Sequence, residues 1–522
     1  MSQGPGLESF DAQLVAVMEQ SDDAQTEELP FRIAVIGDWS GRANRSLFAT
    51  SSELALWRTL IVDRDNLDQV LARLGVKLHL PVTSDGSLSL TIDFQQLDDF
   101  HPDRIVRRLE MFEGLRRTRS QLHDHDTFAE AAKQVRAWAN ISAPEARPDE
   151  PRFNQDSGGD EPSPHKGSLL DQILESEPGE FTPARASSNL SADISALAQE
   201  AVKPYLLPGN EEERDELVSI VDEAISRKLR AIMHHPDFQA LEAAWRALHF
   251  LASRVETGPN LKLHLLDISR QELAADLLGE NEIDSTALYK ILVEQTSGGP
   301  GASYWAAICG NYEFDCADAR LLERLSLVAG EAGAPFIAAA RSSVVGCESL
   351  AKTADPDDWQ QSLNAEFETT WDELKHFSTT RYLGLALPRF LIRLPYGAET
   401  EPIEEFDFEE IGKGMMPAHE SYLWANPSFA IACLLATAFS ESGWDLRPGE
   451  FQDIEGLPLH IYREDDESQI KPCAEVLLTM RAAQKIIERG VMPLISMKDS
   501  DVVRVGLFQS LAGTKLAGRW DN

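Results

Sequence analysis

The chain has 522 residues, 43 % of them hydrophobic, and 48 basic against 86 acidic side chains give it a net charge of −38. This length and apolar content suit about three domain-sized cores. The charge argues against DNA, RNA and anionic lipid, all of which would be repelled, and favours a basic partner or plain solubility.

Residues 1–29 are acidic and polar, without the basic start and apolar stretch of a secretory signal, and are expected to form a polar leader. From residue 30 to about 140 the pattern is mixed α/β. "FRIAVIGDWSGR" is a buried strand running into a Gly-bounded turn. "NLDQVLARLG" is a short amphipathic helix stopped by Gly75. "VKLHLPV" and "SLSLTIDF" alternate in polarity around "TSDG", which predicts a hairpin. "HPDRIVRRLEMFEGLRRTRSQL" predicts one helix, with Pro102 in its first turn and Ile105, Leu109 and Phe112 on its apolar side.

Residues 141–190 carry Pro, Gly, Ser and acids with few apolar side chains, the composition of a flexible linker. Within it, "SLLDQILES" at 168–176 groups Leu169, Leu170, Ile173 and Leu174 on one helical side. Such an island is either a docked surface helix or a recognition peptide for another protein.

A second unit, 191–522, opens with two helices. In "ELVSIVDEAISRKLRAIM" Leu217, Val221, Ile225, Leu229 and Ile232 share a face. After Pro236, Phe238, Leu241, Trp245 and Leu248 form an apolar seam. "LKLHLLDI" predicts a strand and "RQELAADL" a helix, followed by strand candidates in "YWAAICG", "APFIAAA" and "LGLALPRFLIRL". This alternation predicts layered α/β architecture.

The turn Gly37-Asp38-Trp39-Ser40-Gly41 lacks both the G-x-G-x-x-G spacing and the G-x-x-x-x-G-K-[ST] pattern of phosphate-binding loops, so a strand-ending turn is the favoured reading. "HDHD" at 123–126 has no third metal ligand nearby and reads as solvated surface. His234 and His235 precede a helix, where capping or packing is expected. The acid runs "EPIEEFDFEE" and "REDDES" lack a calcium-loop pattern and read as solvated edges. Cys309, Cys316, Cys347, Cys433 and Cys473 form no C-x-x-C pair and suit a reducing compartment. The longest apolar run, Phe429 to Phe439, is about half of the roughly 20 residues that cross a bilayer. No catalytic, cofactor or metal signature stands out. The expectation is a cytoplasmic protein that is not an enzyme, with no membrane insertion.

Long stretches carry a family resemblance. In the second unit "HPDFQALEAAWRALHFL", "LKLHLLDISRQELAADL", "RYLGLALPRFLIRLPYG", "YLWANPSFAIACLLATAFSESGW" and "PCAEVLLTMRAAQKIIERGVMPLI" resemble the large sheath subunit (TssC/VipB) of bacterial type VI secretion systems. Phe238, Trp245, Arg246, Pro388, Arg389, Phe390, Arg393, Pro395, Tyr396, Gly397, Leu423, Trp424 and Asn426 fall at that family's characteristic positions. In the first unit "FRIAVIGDWSGR", with Gly37, Asp38 and Gly41, "VDRDNLDQVL" and "DDFHPDRIVRRLEMFEGLRRTR" resemble the small sheath subunit (TssB/VipA).

The resemblance implies two intertwined α/β units in one chain, a fusion of the two subunits. It implies a non-catalytic role in a contractile sheath that stacks helically around an Hcp tube on a baseplate, links copies by exchanged strands and is dismantled by the ATPase ClpV. The implied ClpV contact is the 168–176 island, which tips its reading toward a recognition peptide. The resemblance also implies a large-subunit part that is shortened after "DVVRVGLFQSLAG", which opens the alternative of an accessory cap or regulator of the sheath.

Overall fold

The computed structural model describes residues 29–81, 89–124, 126–140, 213–279, 282–297, 304–359, 365–412, 417–464 and 467–521. The expected leader up to residue 28, the linker with Leu169, Leu170, Ile173 and Leu174, and the Asp-Gly turn between the hairpin strands lie outside those residues.

The strands in chain order are β1 (Phe31–Gly37), β2 (Leu60–Val62), β3 (Val76–Pro81), β4 (Ser89–Phe94), β5 (Leu261–Asp267), β6 (Ala307–Phe314), β7 (Phe336–Ala340), β8 (Leu383–Leu387), β9 (Phe390–Leu391), β10 (Trp424–Ala425), β11 (Asp453–Ile454), β12 (Ile461–Glu464), β13 (Glu467–Ile470), β14 (Val491–Ser496) and β15 (Val503–Val505). Nine of them form one sheet in the order β11-β15-β14-β8-β7-β6-β1-β5-β2.

The decisive pairing is that of β1. Six of its seven residues are buried, the near-continuous apolar run that a strand covered on both faces requires. Its neighbours both come from the second unit. Phe31 to Gly37 run parallel to Leu261 to Asp267 on one side, and Ile33 to Ile36 run parallel to Ala307 to Gly310 on the other. The first unit thus places its opening strand inside the second unit's sheet, and its β2 caps the same sheet antiparallel to β5. The two units are intertwined, as the sequence led us to expect.

Alternation across the sheet feeds two cores. Phe31, Ile33 and Val35 point into the first; Ala34 and Ile36 point into the second. The first core includes the helices Glu213–Met233, Pro236–Arg254 and Pro427–Ser442 and the β3–β4 hairpin. The second includes the helices Arg270–Leu278 and Ala319–Ala332. Both predicted helices that open the second unit are present, with Phe238, Leu241, Trp245 and Leu248 buried. Pro236 starts the second of them, and His235 Nδ1 accepts the Asp237 N–H at 3.2 Å. The Phe238 ring lies 6.0 Å from Phe94 and 5.7 Å from Phe100 of the first unit, so this core is common to both.

Four local expectations are corrected. The helix expected over 101–122 is broken: Pro102–Arg108 ends at Leu109, which is extended and buried, and Glu113–His123 follows after a short turn. Tertiary pairing outweighs local periodicity here. Arg108 is held by Asp99 at 2.8 Å and Arg107 by Glu405, while Arg119 pairs with Asp222 of the second unit. "LGLALPRFLIRL" is not one strand. Pro388 brings no backbone N–H, so β8 leaves the large sheet there and β9 pairs with β10 in a separate ribbon. The acid run "EPIEEFDFEE" is not a solvated edge, because Phe406, Phe408 and Glu410 are all buried. In "YWAAICG" the strand starts at Ala307, later than the pattern suggested.

Candidate functional site at the junction of the two units

The Gly37–Gly41 turn is where a phosphate would sit in a nucleotide-binding protein, and it is filled by the protein's own carboxylate. Gly37 is in register with Asp267 at the ends of β1 and β5. Asp267 accepts the Trp39 N–H at 2.7 Å, the Ser40 N–H at 3.2 Å and the Ser40 hydroxyl at 2.7 Å. Asp38 accepts the N–H groups of Arg42 and Ala43, both at 2.9 Å. Burial pushes the Asp38 carboxyl upward, and the Ala43 N–H opposes it. Arg42 donates to Glu272 at 2.7 Å and to the Asp267 carbonyl at 2.9 Å. Trp245 donates its indole N–H to the Trp39 carbonyl at 2.9 Å, and the two rings meet edge-on at 5.4 Å. Gly41 has φ +70°, and a Cβ there would stand 2.4 Å from the Lys77 carbonyl oxygen. The turn is an interlock between units, with the backbone N–H groups of Trp39, Ser40, Arg42 and Ala43 occupied.

A second knot lies on the next turn of the Trp245 helix. Glu242, fully buried, accepts from Arg246 at 2.7 Å and from Arg393 at 2.8 Å. Arg393 also donates to Glu410 at 2.7 Å, and Glu410 accepts the Tyr396 N–H at 2.8 Å. Arg246 reaches the Tyr396 hydroxyl at 3.0 Å, and His234 Nε2 stands 3.4 Å from Glu410. Burial alone would raise the Glu410 pKa. The Arg393 guanidinium and His234 outweigh it and hold the carboxyl at about 2. The first unit closes over this knot: the His101 ring meets Tyr396 at 5.0 Å, and Asp103 accepts the N–H groups of Glu404 and Glu405 at 3.0 and 3.1 Å. Pro395 and Gly397 shape the loop, the Pro395 carbonyl accepting the Thr400 hydroxyl at 2.5 Å and the Gly397 N–H donating to the Glu401 carbonyl at 3.1 Å.

The remaining family positions build a neighbouring ribbon. Arg389 donates to Glu475 at 2.6 Å, and His419 lies 3.1 Å from the same oxygen. Glu475 is also held at about 2: burial raises it, and His419 and Arg389 lower it further. Phe390 packs on Phe250 at 5.3 Å. Trp424 pairs with Leu391 across the ribbon and donates to the His419 carbonyl at 3.0 Å. Asn426 caps the Pro427–Ser442 helix and donates to the Tyr312 carbonyl at 2.9 Å. The sequence-selected residues therefore fall into two groups: the turn of Gly37, Asp38 and Gly41 meets Trp245 through Trp39, while the segment of Arg393, Pro395, Tyr396 and Gly397 meets Glu242 on the same helix through Arg393. Arg389, Phe390 and Trp424 stand beside the second group.

Sequence reasoning missed the acidic halves of these contacts. Glu242 sits four residues after Phe238 and three before Trp245, a charge on an apolar seam, which requires a buried partner. Glu410 continues the alternation Phe406, Phe408, Glu410 and so shares their buried side. Among the described residues no group of three His, Cys, Asp or Glu side chains is placed to hold a metal, and no helix is long and apolar enough to cross a membrane. All five cysteines are buried and unpaired.

Comparison with known proteins matches this two-part geometry. The family model described as "EvpB/VC_A0108, tail sheath N-terminal domain" matches residues 215–512, and that described as "Type VI secretion system, VipA, VC_A0107 or Hcp2" matches residues 13–139. The type VI secretion system sheath protein TssC1 of Pseudomonas aeruginosa is 33 % identical over 334 residues, 62 % of this chain and 67 % of that protein. The sheath protein TssB1 of the same organism is 28 % identical over 141 residues, 24 % of this chain and 80 % of that protein. With one unit matching each subunit and the β1 strand of one lodged in the sheet of the other, the chain belongs to the type VI secretion sheath family as a fusion of a TssB/VipA-type and a TssC/VipB-type subunit.

Proposed function

We propose that this fused chain is a non-catalytic sheath protomer that assembles with copies of itself or with other sheath subunits around the Hcp tube, docks on the baseplate and supports contraction-driven delivery. The observation that carries this reading is the insertion of β1 between β5 and β6, which makes one preassembled small–large unit out of one polypeptide. The Gly37 turn supports the non-catalytic part, since Asp267 occupies the donors that a substrate anion would need. Work is stored in interfaces that have two packings, with no bond broken. The place of action is the cytoplasm.

Electron microscopy of the purified chain, alone and mixed with Hcp, tests it. Rings or tubules are the expected result. A particle that stays monomeric and ignores Hcp and sheath subunits would overturn it; one that binds only sheath ends would turn the reading to an accessory cap. ClpV recognition belongs to the same proposal, through Leu169, Leu170, Ile173 and Leu174. Deleting 168–176 is expected to abolish ClpV binding and leave the melting temperature unchanged, and undiminished ClpV binding would reject that assignment.

A further inference from the structure

The β12–β13 ribbon pairs with no other strand among the described residues. Ile461, Arg463, Glu467 and Ser468 along it are exposed. Its two ends are tied at one place. His460, just before β12, meets the Tyr422 hydroxyl through Nδ1 at 2.7 Å. Lys471, just after β13, donates its backbone N–H to the His460 carbonyl at 2.9 Å. The Lys471 side chain then reaches over a small apolar cluster of Leu391, Tyr422 and Trp424. Its Nζ stands 5.0 Å from the centre of the Tyr422 ring and 5.7 Å from that of Trp424. The two rings lie 5.7 Å apart and are tilted by 45°, so they form two walls of a cage that the protein's own lysine fills.

Ring faces, not oxygen atoms, hold this ammonium. Among the described residues Nζ has no hydrogen-bonded acceptor and no carboxylate within ion-pair distance. Burial lowers the Lys471 pKa, and the more distant Glu475 and Glu420 oppose that without cancelling it. A larger share of this amine is therefore unprotonated at neutral pH than of an unburied lysine. The side chain is half-buried, so a small activated acyl donor can reach the nitrogen without an enzyme surface having to grip it. The rings attract the amine only while it is charged, and an amide on that nitrogen would remove the charge.

We infer that Lys471 is an acylation site whose modification by an acyl phosphate unlatches the β12–β13 ribbon from Tyr422 and Trp424. The free amine attacks the acyl carbon and a C–N bond forms. The bond from that carbon to the phosphate oxygen breaks, and phosphate leaves with the electron pair. The amine's proton passes to solvent, and a neutral amide remains. The cation–π hold is then gone, and the new amide group is drawn toward water. The Lys471 foot lifts, and the ribbon is left tied through His460 alone.

The test uses the full chain and acetyl phosphate. Peptide mass spectrometry reads the acetylation rate at each lysine, and hydrogen exchange reads the peptides that cover β12 and β13. Lys471 is expected to acetylate about threefold faster or more than the exposed Lys352, Lys498 and Lys515. Ribbon exchange is expected to rise about tenfold in the acetylated chain, the scale of one lost cation–π contact between desolvated groups. Lys471→Gln is expected to show the raised exchange without reagent. Lys471→Arg keeps a charge over the rings and is expected to exchange like wild type, with or without reagent. Acetylation at Lys471 no faster than at the exposed lysines overturns the site. Unchanged ribbon exchange in acetylated wild type overturns the latch, and this arm decides the matter even if Lys471→Gln fails to fold. A ribbon response to acetyl phosphate that persists in Lys471→Arg would assign the effect to another lysine and overturn the inference as well.

Discussion

The carboxylate of Asp267 and the backbone N–H of Trp39 meet at 2.7 Å, although 228 positions separate them in the chain. This one bond joins the ends of two adjacent strands from different sheath subunits. Removing the acceptor strands three donors at once, those of Trp39, Ser40 N–H and Ser40 hydroxyl. Asp267→Ala is expected to cost about 3 kcal/mol or more in urea unfolding, given roughly 1–3 kcal/mol for each polar group left unsatisfied in a partly buried site. A loss below about 0.5 kcal/mol would show that the turn stands without the interlock.

Gly41→Ala probes the same turn from the backbone side. The positive φ and the Lys77 carbonyl leave no room for a Cβ, so a melting-temperature drop equivalent to about 2 kcal/mol or more is expected. Gly75→Ala is the comparison: its φ is +61° but nothing crowds the added carbon, and a smaller drop, about 1 kcal/mol, is expected.

Arg393→Met leaves Glu242 and Glu410 buried without their shared counterion. The expected loss is about 3–5 kcal/mol, the penalty for breaking a buried pair from one side. Adding Glu410→Leu to that variant is expected to recover part of it. A double variant less stable than the single one would contradict this account of the knot.

Acid should loosen the fold through two carboxylates. Glu410 and Glu475 ionise at about 2 in the folded chain, against an ordinary value of 4.5. Their contribution is therefore complete above about pH 4.5 and falls away as the pH drops toward 2, by about 3 kcal/mol for each group. Urea midpoints measured between pH 5 and 2.5 are expected to decline, and Glu475→Gln to decline less steeply.

His264 works over a higher window. Burial first, and then the Arg32 guanidinium, hold it at about 4, below its ordinary 6.5. The unfolded chain takes up the proton first, so stability is lost as pH falls from 6.5 toward 4. Its ring accepts from Arg32 Nε at 3.1 Å beside β1, which ties that loss to the junction. His264→Gln is expected to remove the slope between pH 6.5 and 4.5, and an unchanged slope would assign it to other groups.

What the sequence made legible was local. "FRIAVIG" announced a buried strand, and Gly75 and Pro236 marked a helix stop and a helix start that the structure keeps. The neighbours of β1 were not legible from local pattern, because nothing in residues 31–37 encodes pairing with 261–267; the resemblance alone pointed to intertwining. The break at Leu109 was hidden for a similar reason, since Arg107 and Arg119 are satisfied by residues distant in the chain. The junction carboxylates were half-visible. Glu242 and Glu410 each occupy a periodic apolar position, but the acid-rich surroundings of Glu410 disguised it as surface.

Because β1 is hydrogen-bonded along both edges to parallel strands of the other subunit, a pull along the strand axis strains two ladders in shear, and their bonds must yield together. A unit built this way takes such a load through its middle layer as one stiff body. Slippage under such a load would then fall outside the continuous sheet.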